Sequence, residues 1–216
     1  MDWLHTILNF ILHIEVHLDY IITNYHSWTY IFLFLIVFSE TGLVIFPFLP
    51  GDSLLFAIGA FAARGSFDIW TIGFTLLTAA ILGDTVNYAI GKYLGARLFT
   101  KDNSLFFNKK HLKKAHDFYE KHGSKTIILA RFIPIVRTFA PFVAGIGEMT
   151  YKKFISYSVM GGIFWIFSFI PLGYFFGNLP YIQKNFKFVM LAIMVISVLP
   201  GLIEFYKERR RTSKVN

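Results

Sequence analysis

Residues 28–63 read WTYIFLFLIVFSETGLVIFPFLPGDSLLFAIGAFAA, an apolar tract whose only charges are Glu40 and Asp52. A membrane-spanning helix takes roughly 20 apolar residues. The middle of this tract carries Pro47, Pro50 and Gly51, residue types that interrupt a helix and let the chain turn. The tract reads as a hairpin that dips into a membrane and returns. Irregular backbone at that depth must be buried in protein or line a wet cavity.

Further apolar tracts follow at about 69–91, 126–147, 154–182 and 188–206. They lack the alternation of a membrane-barrel strand. Together they predict an all-α polytopic membrane protein. The net charge of +8 sits in loops and tail beside these tracts. It therefore points to anionic lipid headgroups and away from nucleic acid. The chain has no cysteine, which excludes disulfides, thiol catalysis and cysteine-based zinc sites. No Lys or Arg precedes Arg64, so the positive start of a secretory signal is absent. Segment 1–27 is expected to stay as an interfacial helix, spanning the membrane or lying on it.

Cytoplasmic loops collect Lys and Arg. The stretch 97–125 holds Arg97, Lys101, Lys109, Lys110, Lys113, Lys114, Lys121 and Lys125, and the tail 207–216 is again basic. Both are expected in the cytoplasm, with spans at about 154–177 and 187–206 between them. Segment 126–147 must then enter and leave on the cytoplasmic side. It is too short to cross twice, and Pro134 and Pro141 are where its helix would break. By the same reasoning 28–63 dips in from outside. Each half becomes an amphipathic segment, a broken hairpin and a long span, at about 28–96 and 107–178. Each long span ends in a Gly-x-x-x-Gly pair, Gly91/Gly95 and Gly173/Gly177, a helix-packing signal. The expected domain, 28–206, is an inverted repeat with two opposed re-entrant hairpins, an arrangement used by transporters.

The hairpins bring two acids, Glu40 and Asp52, towards two arginines, Arg131 and Arg137. A charge at mid-bilayer costs about 2.5–3.5 kcal/mol on insertion scales, so these four are expected to meet each other, water or a charged ligand. Arginine stays charged when buried, and its planar fork suits carboxylate or phosphate oxygens. In one state an arginine pairs with an acid; in the other the acid is protonated and the arginine holds an anion. The plainer alternative is a set of structural salt bridges closing two hairpins. Asp84, on the next span, is either a fifth member or a polar residue used in helix packing.

These residues, in order, resemble the DedA family. The resemblance rests on Phe38-Ser-Glu40-Thr-Gly42, Phe48-Leu-Pro50-Gly51-Asp52-Ser53, Gly83-Asp84 with Tyr88 and Gly91, and Arg131-Phe-Ile-Pro134 with Arg137, Pro141, Ala144 and Gly145. It covers roughly residues 28–178. It implies a multi-pass protein of the bacterial inner membrane with the domain also found in eukaryotic VTT lipid scramblases. It also implies lipid movement across the bilayer, with undecaprenyl phosphate as cargo of several members, and proton-motive-force maintenance in others. The family's acidic pair carries over to Glu40 and Asp52, and its arginine pair to Arg131 and Arg137.

Other signals are weaker. Gly51-Asp52-Ser53-Leu54 spells a lipase motif, but the partner Asp-x-x-His string occurs only upstream, at Asp2–His5. His13 and His17 share a helix face without further ligands nearby, and His111, His116 and His122 fall in the basic stretch. No metal site, cofactor or enzymatic activity is expected. The leading expectation is a flippase for undecaprenyl phosphate or a related polyprenyl or phospholipid phosphate, coupled to protons. The alternatives are a proton-motive-force-dependent exporter of a small solute or cation, and a scaffold without transport. Expected partners are membrane lipids and protons, with a second copy of the chain as a further option.

Overall fold

The computed structural model describes residues 14–25, 27–43, 51–98, 125–193, 195–197 and 199. The expectations for 1–13, for the turn residues Pro47 and Pro50, for the basic stretch 99–124 and for the tail 207–216 lie outside these residues. All regular structure among the described residues is helical. The helices are α1 (Ile14–Tyr25), α2 (Trp28–Gly42), α3 (Gly51–Ala63), α4 (Ile69–Leu98), α5 (Lys125–Ala130), α6 (Pro134–Ile146), α7 (Tyr151–Phe176) and α8 (Pro180–Lys184). Residues 186–193 are also helical.

Among the described residues two helices are long and apolar enough to cross a membrane, Ile69–Leu94 within α4 and Tyr151–Phe176. By contrast, α3 and α6 are 13 residues each, about 20 Å of helix against roughly 30 Å of bilayer hydrocarbon. Large apolar side chains point outward, including Trp28, Trp70, Phe74, Phe164, Phe175 and Phe188. Charged and polar side chains point inward, including Glu40, Asp52, Asp84, Asn87, Arg131 and Arg137. In water this distribution would forfeit part of the hydrophobic driving force. In lipid it is the expected one, because polar groups are the ones that must be hidden.

The chain divides into two compact units. The first contains residues 14–36, 51–76 and those from 166 onward; the second contains 37–43, 77–98 and 125–165. In the first unit α3 crosses α7 at two glycines. A Cβ on Gly59 would strike the Ile170 carbonyl oxygen, and one on Gly173 would strike the Phe56 carbonyl oxygen. A Cβ on Gly177 would strike the Ala60 methyl group. Two backbones this close exclude side chains from the joint, the usual gain from small residues between membrane helices. Ser53, in the first turn of α3, donates to the Met190 carbonyl at 3.3 Å.

The second unit repeats the device with α4 and α6. A Cβ on Gly91 would strike the Phe142 carbonyl oxygen, and one on Gly145 the Tyr88 carbonyl oxygen. Its apolar cluster is Tyr88, Ile127, Ala144 and Phe154. Tyr88 stacks on Phe154 with ring centroids 4.5 Å apart, and its hydroxyl donates to the Met149 carbonyl. Gly95 lies within α4.

The short helices end alike. After α3, Gly65 takes φ +83°. Its N–H donates to the Ala62 carbonyl at 3.0 Å, and that of Ser66 to Phe61 at 3.1 Å. After α6, Glu148 takes φ 55°. Its N–H donates to Gly145 at 3.2 Å, and that of Met149 to Ala144 at 3.0 Å. Both are Schellman caps, in which a left-handed residue lets the chain satisfy the last carbonyls. Asp68 then opens α4, accepting from the Thr71 N–H at 2.7 Å and the Thr71 hydroxyl at 2.6 Å. These bonds, the hydroxyl's first, hold its carboxyl below the ordinary aspartate range.

The expected break in 126–147 falls at residues 131–133, between α5 and α6. Pro134 sits in the first turn of α6, where its missing N–H removes no helical bond. Pro141, expected as a second break, lies inside α6, which runs through it to Ile146. This corrects the sequence reading. A proline in a membrane helix is tolerated when neighbours satisfy the freed backbone. Pro171 is likewise inside α7.

Candidate functional site: two buried ion pairs around Trp165

Four charged side chains meet in the second unit. Glu40 comes from the last turns of α2 and Asp84 from the middle of α4. Arg131 comes from the break before α6, and Arg137 from the first turn of α6. Their exposures are 1%, 3%, 5% and 7%. Arg137 Nη2 pairs with Glu40 Oε1, and Arg131 Nη2 pairs with Asp84 Oδ2. The group is neutral as a whole, two cations against two anions. Neutrality is what lets it exist here, since each isolated buried ion would cost several kcal/mol.

Glycines create the room. Gly83 faces Thr41, Phe38 and Gly42, so closely that a Cβ would collide with the Thr41 hydroxyl. The end of α2 thus lies on α4, and Glu40 and Asp84 reach the same interior. A Cβ on Gly161 would stand 3.4 Å from Arg131 Nε, and one on Gly162 3.7 Å from its Nη1. The guanidinium occupies a slot along α7 that larger residues would narrow. Ser158, fully buried one turn earlier, donates to Asp84 Oδ2 at 2.5 Å. It also lies 3.4 Å from Arg131 Nη2.

Trp165 is the hub. It is fully buried, with the Arg137 guanidinium 5.0 Å and the Arg131 guanidinium 5.8 Å from its ring centroid. The ring's negative face attracts both cations. Thr41, Asp84, Ile127, Arg131, Arg137, Ala140, Pro141 and Trp165 line a cavity of about 10 Å³, room for roughly one water molecule. Arg131 Nη1 is buried and has no partner among the described residues. An unpartnered guanidinium edge on a residue that lines this cavity is a place for an acceptor, be it water or an anionic oxygen. No group of three or more metal-ligating side chains occurs among the described residues.

Of the residues singled out from the sequence, Glu40, Asp84, Arg131 and Arg137 are brought together. The arginine on the break takes Asp84, and the arginine within α6 takes Glu40. Asp52 belongs to the first unit, where it is 5% exposed in the first turn of α3. Ser158, Gly161, Gly162 and Trp165 escaped the sequence reading. They recur at one-turn spacing along a single face of α7, and that polar and small stripe in an apolar span was a usable signal. Asn87 escaped too, one helical turn beyond Asp84.

A helical membrane protein with a charged interior is the class that this fold and site define. The VTT domain family model matches residues 49–175. Over 216 residues and 99% of both chains, the sequence is 51% identical to Protein DedA of Escherichia coli (strain K12). It is 44% identical to an uncharacterized membrane protein of Mycobacterium leprae (strain TN), over 83% of this chain and 82% of that one. It is 35% identical to inner membrane protein YqjA of Escherichia coli (strain K12), over 79% of this chain and 77% of that one. No solved structure matches the chain significantly. The chain belongs to the DedA family of VTT-domain membrane proteins.

Proposed function

We propose that this protein carries a lipid phosphate across the bacterial inner membrane, with undecaprenyl phosphate the first candidate, and that protons drive the exchange. The observation that carries this reading is the pair of arginines on a broken helix, each held by a carboxylate and both resting on Trp165. Protonating Glu40 or Asp84 removes the arginine's counter-charge and leaves a fork for phosphate oxygens. The described cavity, about 10 Å³, is too small for a phosphate. On this reading the paired arrangement is the unloaded state, and loading opens it.

The paired design of the two units supports an inverted repeat with re-entrant hairpins. Two helices of 13 residues, each closed by a left-handed cap, each cross a long apolar helix from the other half of the sequence. An exporter of a small cation would use the carboxylates alone, and the arginines on both of them weigh against it. A scaffold would gain nothing from buried ions, which an apolar cluster of equal volume replaces without loss of stability.

The test is reconstitution into liposomes with a labelled polyprenyl monophosphate and an imposed pH gradient. Wild-type protein should speed translocation in a gradient-dependent way, and R137A should not. Proton movement against a small cation, with no lipid phosphate moved, would favour the exporter.

A further inference from the structure

Asn87 lies on α4, fully buried, and touches none of the four charges through any bond described above. Both of its amide hydrogens are used. Nδ2 donates to the Thr41 carbonyl at 2.9 Å and to the Thr138 carbonyl at 2.7 Å. Both acceptors are carbonyls, so the orientation of the carboxamide follows from the chemistry. These carbonyls stand in matching places. Thr41 follows Glu40, and Thr138 follows Arg137. One side chain therefore spans the two backbone segments that carry the two halves of an ion pair.

The tie to Thr41 falls where the backbone has donors missing. Thr41 is in the last turn of α2, whose carbonyls have no helical N–H to meet. The Thr138 carbonyl lies next to that of Arg137, which Pro141 leaves without its helical donor because proline has no N–H to give the carbonyl four residues back. The oxygen of Asn87 is buried without a partner among the described residues. A side chain serving only to fill space here would be apolar, since a buried unmet acceptor is unfavourable. The two donors are what this residue supplies.

We infer that Asn87 is a positioning residue for the Glu40–Arg137 pair, holding α2 to α6 through the Thr41 and Thr138 carbonyls so that the pair can close. It acts on that pair and not on Asp84–Arg131. The transport consequence rests on the function proposed above; the structural consequence does not.

The experiment is a set of double-substitution cycles on the full chain, with N87L combined in turn with E40Q and with D84N. Thermal midpoints in detergent and lipid-phosphate translocation in liposomes are both read. N87L alone should lower the midpoint and slow translocation about tenfold, the scale for losing such bonds at a site under load. In the E40Q background its effect on the midpoint should shrink, because the pair it positions is gone; in the D84N background it should persist in full. Coupling of this kind is the mark of residues acting through one another. Equal effects of N87L in all three backgrounds would overturn the inference and make Asn87 a packing residue. If wild type moves no lipid phosphate, the functional proposal fails while the midpoint cycle still decides the role of Asn87. Should N87L not fold, N87D has the same shape, lacks both donors when ionised, and goes through the same cycle.

Discussion

The two units share a joint and differ in what surrounds it. In one, α3 crosses α7 at Gly59 and Gly173; in the other, α6 crosses α4 at Gly145 and Gly91. Both short helices have 13 residues and a left-handed cap. Yet among the described residues the first unit buries one charge, Asp52, and the second buries four. The joint is therefore a matter of membrane packing, common to both, and the cluster of four charges is an addition to the second. A comparison of matched substitutions in the two units separates structure from function.

The largest effects should come from the charges. Removing one partner of a fully buried pair typically costs about 3–5 kcal/mol, because the other is left stranded. E40A and R137A should abolish activity and lower the yield of folded protein. D52A should abolish activity too if the family's second acid works with this site. Full activity in D52A, with none in E40A, would sharpen the comparison by confining the working charges to the second unit.

Next come the joints. G91A and G173A each press a methyl group into a carbonyl oxygen, and overpacking of this kind costs about 1–3 kcal/mol. The two variants should lose similar amounts of thermal stability. A large loss in one and none in the other would break the equivalence of the crossings.

The caps give a smaller and opposite pair. Glu148 takes the left-handed conformation that Gly65 takes without penalty, and a side chain there costs about 1–2 kcal/mol. E148G should raise the thermal midpoint and G65A should lower it. Smallest is Asp68, exposed at the start of α4. Thr71 holds its carboxyl below the usual range, so its capping contribution is complete above the unfolded value of about 3.9. It is lost as pH falls through the lower folded value. The midpoint difference between wild type and D68A should be constant above about pH 5 and vanish on strong acidification.

Much of this was legible in the sequence for a physical reason. Membrane depth makes every charge conspicuous, so Glu40, Asp52, Asp84, Arg131 and Arg137 announced themselves, and Pro134 marked the start of α6. Their pairing did not. Arg137 meets Glu40 across 97 residues and Arg131 meets Asp84 across 47, and no local pattern encodes which acid meets which fork. The expectation grouped Asp52 with the arginines and left Asp84 open; Asp84 pairs with Arg131. Trp165 and Asn87 were hidden for another reason. A tryptophan in an apolar span reads as lipid contact, and an asparagine one turn past an aspartate reads as polar packing. Pro141 misled because a helix-breaking residue in water is tolerated inside a packed membrane helix.

The central claim is that the two arginines beside Trp165 receive a lipid phosphate. The direct measurement is native mass spectrometry of the protein released from its own membrane with bound lipids intact. Wild type should carry a polyprenyl monophosphate, and the variant R131K with R137K should lose it, because lysine cannot present the planar fork. Wild type free of any lipid phosphate, or the double-lysine variant holding it equally well, would contradict the account.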